Sequence, residues 1–310
     1  MPIKARRKVV FCKVEATYGT DSVPVAATDA LLVHNFTCKP LDIKWVERNP
    51  SLPFFGNQGK VKAGDFMRME YDIEIAGAGG VATVPKYGTA LRGGALSETV
   101  TPTTGPVTYA QISSGEESMT KYFYWDGLLH KMLGARAIVS LKMDAGSTPM
   151  LHFAWMGLYG GITDVALPTP TLTGFQVPLA VNKQNTTFSL HGYAGALRSL
   201  SINQGSDMQY VNVPNQEAIR FVGRKSTGSV AIELPLIAGK DFFTSIRAET
   251  TGALSVVHGT AAGNKALIDA ANVQLTDPAY SETEGVAIIT MGMEFKSSSA
   301  GNDEWTYKTQ

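Results

Sequence analysis

Across residues 66–75 apolar and charged side chains alternate, without a break from Met67 on: Met67, Met69, Tyr71, Ile73 and Ile75 against Arg68, Glu70, Asp72 and Glu74. A period of two puts these sets on opposite faces of a strand, one dry and one wet. Residues 41–47 alternate in the same way, and residues 120–125 form a strand that stops at Asp126-Gly127, a frequent tight-hairpin dipeptide. Later in the chain, residues 189–202 and 208–213 read as strands. Helical spacing is confined to residues 86–96 and 240–250. Two long loops are expected. Residues 49–59 hold Pro50, Pro53, Gly56 and Gly59 around Leu52, Phe54 and Phe55, and residues 214–228 carry Ile219 and Phe221.

The pattern occurs twice. Residues 135–141 lead through a Gly/Ser/Pro turn into 150–158, and residues 270–275 lead through Asp277-Pro278 into 285–293. Val139 maps onto Val273, Leu141 onto Leu275, and Met156-Gly157 onto Met291-Gly292. Upstream, residues 69–77 parallel 230–239, and a helical segment follows each. This predicts a mainly β chain of two tandem β-sandwich or barrel modules, each with one short flanking helix. The first module spans 31–159 and the second 186–295. Residues 160–185, with Pro168, Pro170 and Pro178, read as a linker. Residues 1–30 read as a polar arm and 296–310 as a polar tail, frayed at its end. Two copies of one β unit suit a protein that builds rings or arrays.

Composition narrows the classes. At 310 residues, 44% hydrophobic and 17% charged, the chain folds and can bury one large core or two smaller ones. Lys+Arg and Asp+Glu both total 27, so no net field draws it to nucleic acid or anionic lipid. Cys12 and Cys38 match no disulfide framework or zinc spacing and read as free thiols. Lys4, Arg6, Arg7 and Lys8 resemble the start of a signal peptide, but Val9-Val10-Phe11 is too short an apolar stretch to complete one. With no long apolar run, the protein is expected to be cytoplasmic when made and to have no membrane partner.

Candidate chemistry is thin. Gly77-Ala78-Gly79-Gly80-Val81-Ala82 fits a dinucleotide-type glycine pattern, yet Thr83-Val84-Pro85 follows where a helix should open, so a strand-to-helix connection is expected. The histidines His34, His130, His152, His191 and His258 are scattered singly through strand patterns. No nucleophile elbow, phosphate loop or zinc-protease motif occurs. The reading is a protein without catalytic, cofactor or metal residues.

Several stretches resemble a known family. They include Glu15-Ala16-Thr17-Tyr18-Gly19-Thr20-Asp21, the acidic strand before Ala76-Gly77, and Trp125-Asp126-Gly127-Leu128-Leu129-His130-Lys131-Met132-Leu133-Gly134-Ala135-Arg136. Thr173-Gly174-Phe175-Gln176, Leu190-His191-Gly192-Tyr193 and Gly252-Ala253-Leu254-Ser255-Val256-Val257-His258-Gly259-Thr260 extend the likeness over about residues 15–295. Together they resemble the major tail tube proteins of bacteriophages with long non-contractile tails.

The resemblance implies a structural virion protein, assembled in the bacterial cytoplasm, whose rings stack into a tube that conducts DNA during ejection. Six modules commonly close one ring, so chains of two modules imply trimers with pseudo-six-fold symmetry. It also implies a tape measure protein and non-specifically held DNA in the lumen, and terminator and distal tail proteins at the ends. Leu52, Phe54, Phe55, Ile219 and Phe221 are then expected at inter-ring contacts, and Glu70, Asp72 and Glu74 facing the lumen. The alternative is a β-sandwich binding module, a carbohydrate- or receptor-binding or decoration protein; Tyr122, Tyr124, Trp125 and Trp155 are the aromatics a sugar platform would use, but they lie on strand patterns and read as core.

Overall fold

Strands take up most of the chain in the computed structural model, which describes residues 3–310. The first half holds β1 (Lys8–Val14), β2 (Ala30–Leu31), the long hairpin β3 (His34–Glu47) and β4 (Lys60–Glu74), helix α1 (Gly88–Arg92), the short pair β5 (Leu96–Val100) and β6 (Val107–Gln111), and the meander β7 (Met119–Trp125), β8 (Leu128–Asp144) and β9 (Met150–Asp164). The second half holds β10 (Thr186–Leu190), β11 (Leu197–Asn203), β12 (Ser206–Val213), β13 (Gln216–Arg224) and β14 (Thr227–Glu233). Helix α2 (Phe242–Arg247), β15 (Thr251–His258), β16 (Ala266–Thr283), β17 (Val286–Phe295) and β18 (Thr306–Thr309) complete it. All strands but β12 and β13 belong to one antiparallel sheet of sixteen.

The pairing order is the same in both halves. In the first it runs β3-β4-β9-β8-β7-β1, and in the second β11-β14-β17-β16-β15-β10. The halves meet where Ser140–Asp144 of β8 pairs with Ser199–Asn203 of β11. In each half one long strand passes between two layers. β8 pairs with β7 through residues 128–135 before reaching β11, and β16 pairs with β15 through residues 266–274 before running on beside β17 alone. Apolar side chains fill the space between layers: Met69, Tyr71, Val139, Phe153, Trp155, Val230, Val273, Leu275 and Met291 are all buried. Lys121 is buried with them, its ammonium 4.1 Å from the Trp155 ring centre, and burial pushes its pKa down to about 8.

The alternation of residues 66–75 appears as expected, with Met67, Met69, Tyr71 and Ile73 buried in β4. The turn Asp126-Gly127 joins β7 to β8, both residues at positive φ. The glycine-rich stretch 77–82 is a connection, held by Asn264 and Gly263, and opens no helix. The helices are shorter than their patterns, and only α2 has a side-chain cap, Asp241 accepting from the Thr244 amide at 2.9 Å.

Several expectations fail. Of the expected arm 1–30, residues 1–2 lie outside the described residues and residues 3–30 are not a free arm: β1 pairs along its whole length with β7, and Val10, Phe11 and Cys12 are buried. Nor does the tail fray, because β18 lies between β16 and β6 and buries Tyr307, with Trp305 buried beside it. Residues 189–202 are not one strand; a turn at His191 and Gly192, both at positive φ, divides them. Strand β9 runs past residue 159 to Asp164, and only residues 165–185 lack regular structure. That stretch is pinned, with Val181 buried and bonded to Ser147 and Gly146. Asp277-Pro278 makes no hairpin turn. It is a bulge inside β16, where proline's missing N–H does no harm, and the turn comes at Glu284-Gly285. The β16–β17 hairpin is therefore longer than the sequence echo suggests.

Candidate functional site

Eight strands, β3-β4-β9-β8-β11-β14-β17-β16, follow one another in antiparallel order across both halves. Their inner faces make the core, so their other faces share one surface. Directly paired residues cross this surface in rows. One row is His34, Asp72, His152, Ser140, Asn203, Thr227, Glu294 and Gln274. The next is Glu74, Met150, Lys142, Ser201, Ser229, Gly292 and Thr276. Small and polar side chains predominate. A groove of about 690 Å³ lies over them, lined by Asp72, His152, Ser140, Lys142, Asn203 and Thr227.

Glu70, Asp72 and Glu74 all project from this surface, on β4. Their surroundings differ. Asp72 accepts from Asn35 Nδ2 at 2.6 Å and lies 2.7 Å from His152 Nδ1, while Glu74 is 3.6 Å from His34. Glu70 is exposed and, among the described residues, enters no ion pair. Nearby positive charge is partly neutralised: Asp42 holds Arg68 at 2.8 Å and Lys39 at 2.7 Å, and Asp144 holds Lys142 at 2.8 Å. Ser140, His152 and Asp72 stand side by side on three strands. Ser140 makes no hydrogen bond to the imidazole, so the nucleophile–base contact of a hydrolase is missing. Among the described residues no group of three or more His, Cys, Asp or Glu is placed to hold a metal ion.

Among the described residues, this eight-stranded surface has two unpaired borders: β3 bonds only to β4, and β16 beyond Gln274 bonds only to β17. Because β3 and β16 are the first and eighth strands of an antiparallel series, they run in opposite directions. Strands β8 and β11 stand in that same relation where the halves meet.

Two long hairpins rise at one end of the sheet. The tip of β3–β4, residues 48–59, carries Leu52, Phe54 and Phe55, exposed at 40%, 62% and 106%. The other hairpin, β12–β13, extends β11 and β14 but bends over the polar surface. It is a strand pair, where residues 214–228 are expected as a loop. Ile219 is completely buried against Phe66, Met156 and Tyr210, and so offers no surface to a neighbour. Phe221 is half-buried, with the Arg136 guanidinium 5.6 Å from its ring centre. The Ile219 backbone is held twice: Arg136 donates to its carbonyl at 3.0 Å, and its amide donates to Tyr18 Oη at 2.6 Å.

At the opposite end lie exposed side chains that the sequence pattern does not single out: Leu236, Ile237 and Tyr280. Tyr122, Tyr124 and Trp155 are buried and cannot form a sugar platform; Trp125 is half-covered by Lys8, 4.6 Å above its ring. Cys12 and Cys38 are free thiols whose pKa values burial raises, that of Cys38 to about 12, which disfavours the nucleophilic thiolate. Among the described residues no helix is long and apolar enough to cross a membrane. Neither a scan against protein-family models nor a search of curated proteins finds a match for the chain.

Proposed function

We propose that this chain is a duplicated β unit that assembles into closed rings, and that the rings stack into a virion tail tube through which DNA passes. The observation that carries this reading is the eight-stranded polar sheet with two free borders of opposite direction. Free borders invite pairing with another chain, and closure removes them. Border β16 of one copy meets β3 of the next in the antiparallel sense, and the chain already contains one such seam, β8 with β11. Three copies then give a barrel of twenty-four strands, six β units around one axis.

In that barrel the polar surface lines the bore. Small side chains and paired charges give phosphates little to grip, since tight holding of DNA needs accumulated Lys and Arg contacts. Glu70 contributes an unpaired negative charge to this wall, and Asp72 and Glu74 contribute carboxylates partly shared with histidines. The tape measure protein and DNA occupy the bore, and terminator and distal tail proteins meet the ends.

Native mass spectrometry with electron micrographs of the purified protein tests the reading. Rings of three chains, free or stacked, are expected. A monomer that persists at high concentration overturns it, and rings of six chains would retain the tube but remove the argument from duplication.

A further inference from the structure

Resting on the ring-forming reading, we propose that the free end of the β16–β17 hairpin, with Leu236 and Ile237 beside it, is the seat for the β3–β4 hairpin tip of a second copy of this chain.

The two surfaces face opposite ways along the strands. Row by row, Glu74 at the lower end of β4 is level with Thr276, and β16 and β17 continue below that row to the turn at Glu284-Gly285. The tip at residues 48–59 lies beyond Lys60, at the other end of β4. The segment after β14 joins the lower surface, because the Leu234 amide donates to the Ala287 carbonyl at 2.9 Å and the Phe243 ring lies 6.1 Å from that of Tyr280. Both surfaces present large apolar groups to solvent. Phe54 and Phe55 on the tip and Trp45 in β3 just below it are 52–106% exposed, and Leu236, Ile237 and Tyr280 on the seat 57–84%. Exposed clusters of this kind mark interaction sites.

Charge selects the pairing. Residues 44–62 carry Lys44, Arg48, Lys60 and Lys62 against Glu47 alone, whereas residues 277–286 carry Asp277, Glu282 and Glu284 and no basic residue. Part of this is answered within the chain: Lys60 by Glu47, Lys62 by Asp65 and Glu284 by Arg198. Arg48, Asp277 and Glu282 enter no ion pair among the described residues, so cation and carboxylates remain to meet each other. A basic tip repels a basic tip, which disfavours a symmetric tip-to-tip dimer. Tip on seat is a head-to-tail contact that uses a different surface of each copy, and such contacts continue indefinitely along an axis.

Charge exchange tests this. The tip variant R48E/K60E and the seat variant E282K/E284K alter only exposed side chains, and thermal unfolding of each checks that the fold is kept. Each variant is expected to form rings of wild-type mass whose threshold concentration for stacking rises at least about tenfold, because like charges then face each other. The chain carrying all four substitutions is expected to recover stacking. Wild-type stacking by either variant, or no recovery in the combined one, overturns the seat while leaving the rings intact. A wild-type chain that forms no rings overturns the ring reading itself, and the seat with it.

Discussion

The β3–β4 hairpin and the hairpin formed by β11–β12 with β13–β14 occupy matching places in the pairing order, yet one stands free and the other is folded down. The difference comes from a few residues. In the second hairpin the strands break at Gln204-Gly205, where Gly205 has φ +65° and a Cβ would fall 1.8 Å from the Lys225 carbonyl oxygen. The Gln204 side chain is buried at the bend and bonds the Val139 amide, the Gly94 carbonyl and Gln111. Beyond the bend, Tyr210 and Ile219 close over Phe66 and Met156. The first hairpin has no such break, so Trp45, Phe54 and Phe55 stay in solvent. Shared topology therefore does not fix shared use: a hairpin whose apolar groups find a partner inside the chain is structural, and one whose groups find none is available to another molecule.

The sharpest way to break this contrast is to remove the anchor. Replacing Ile219 with alanine is expected to cost about 2–5 kcal/mol, the range for emptying a fully buried aliphatic site, read from denaturant unfolding. A loss below about 1 kcal/mol would mean the hairpin is not held by its apolar contacts. The bend itself comes next. Gly205→Ala forces a side chain into left-handed backbone and against a carbonyl, at an expected cost of about 1–3 kcal/mol. Hydrogen exchange should then quicken in β12 and β13 while β16 and β17 keep their protection. Unchanged exchange there would show that the bend does not depend on glycine. The smallest effect belongs to the free hairpin: Phe55→Ser should change the stability of the isolated chain by no more than about 0.5 kcal/mol. A larger loss would reveal an intramolecular contact and dissolve the comparison.

Much of the first hairpin was legible because its signals are local. The unbroken alternation of residues 67–75 defines a strand face by itself, and Phe54-Phe55 among prolines and glycines stands out as exposed. The second hairpin is not legible for the same reason. Pro214, Gly223 and Gly228 look like loop punctuation, and nothing near Ile219 in sequence announces Phe66 or Met156, more than sixty positions away. Trp305 and Tyr307 were hidden similarly: they sit among polar neighbours, and only the distant strands β6 and β16 make them core. The acidic strand has the pattern of a solvated face, and it is one. Its membership of a surface eight strands wide depends on the β8–β11 junction, which no local pattern encodes. The exposed cluster of Leu236, Ile237 and Tyr280 has no local signal, because Asp277-Pro278 has the form of a turn but serves as a bulge.

The stagger between the halves would have a consequence for the bore of the proposed ring. Pairing of β4 with β9 runs upward from the row of Glu74, whereas pairing of β14 with β17 runs downward from the row of Thr227. The second half thus sits lower along the strands than the first. In a closed barrel such offsets accumulate, and strands must lean from the axis to absorb them. The rows of His34, Asp72, His152 and their neighbours would then not form level hoops. They would wind along the channel like rifling, and a helical polyanion travelling through it would meet a spiral track of polar groups rather than a sequence of identical gates.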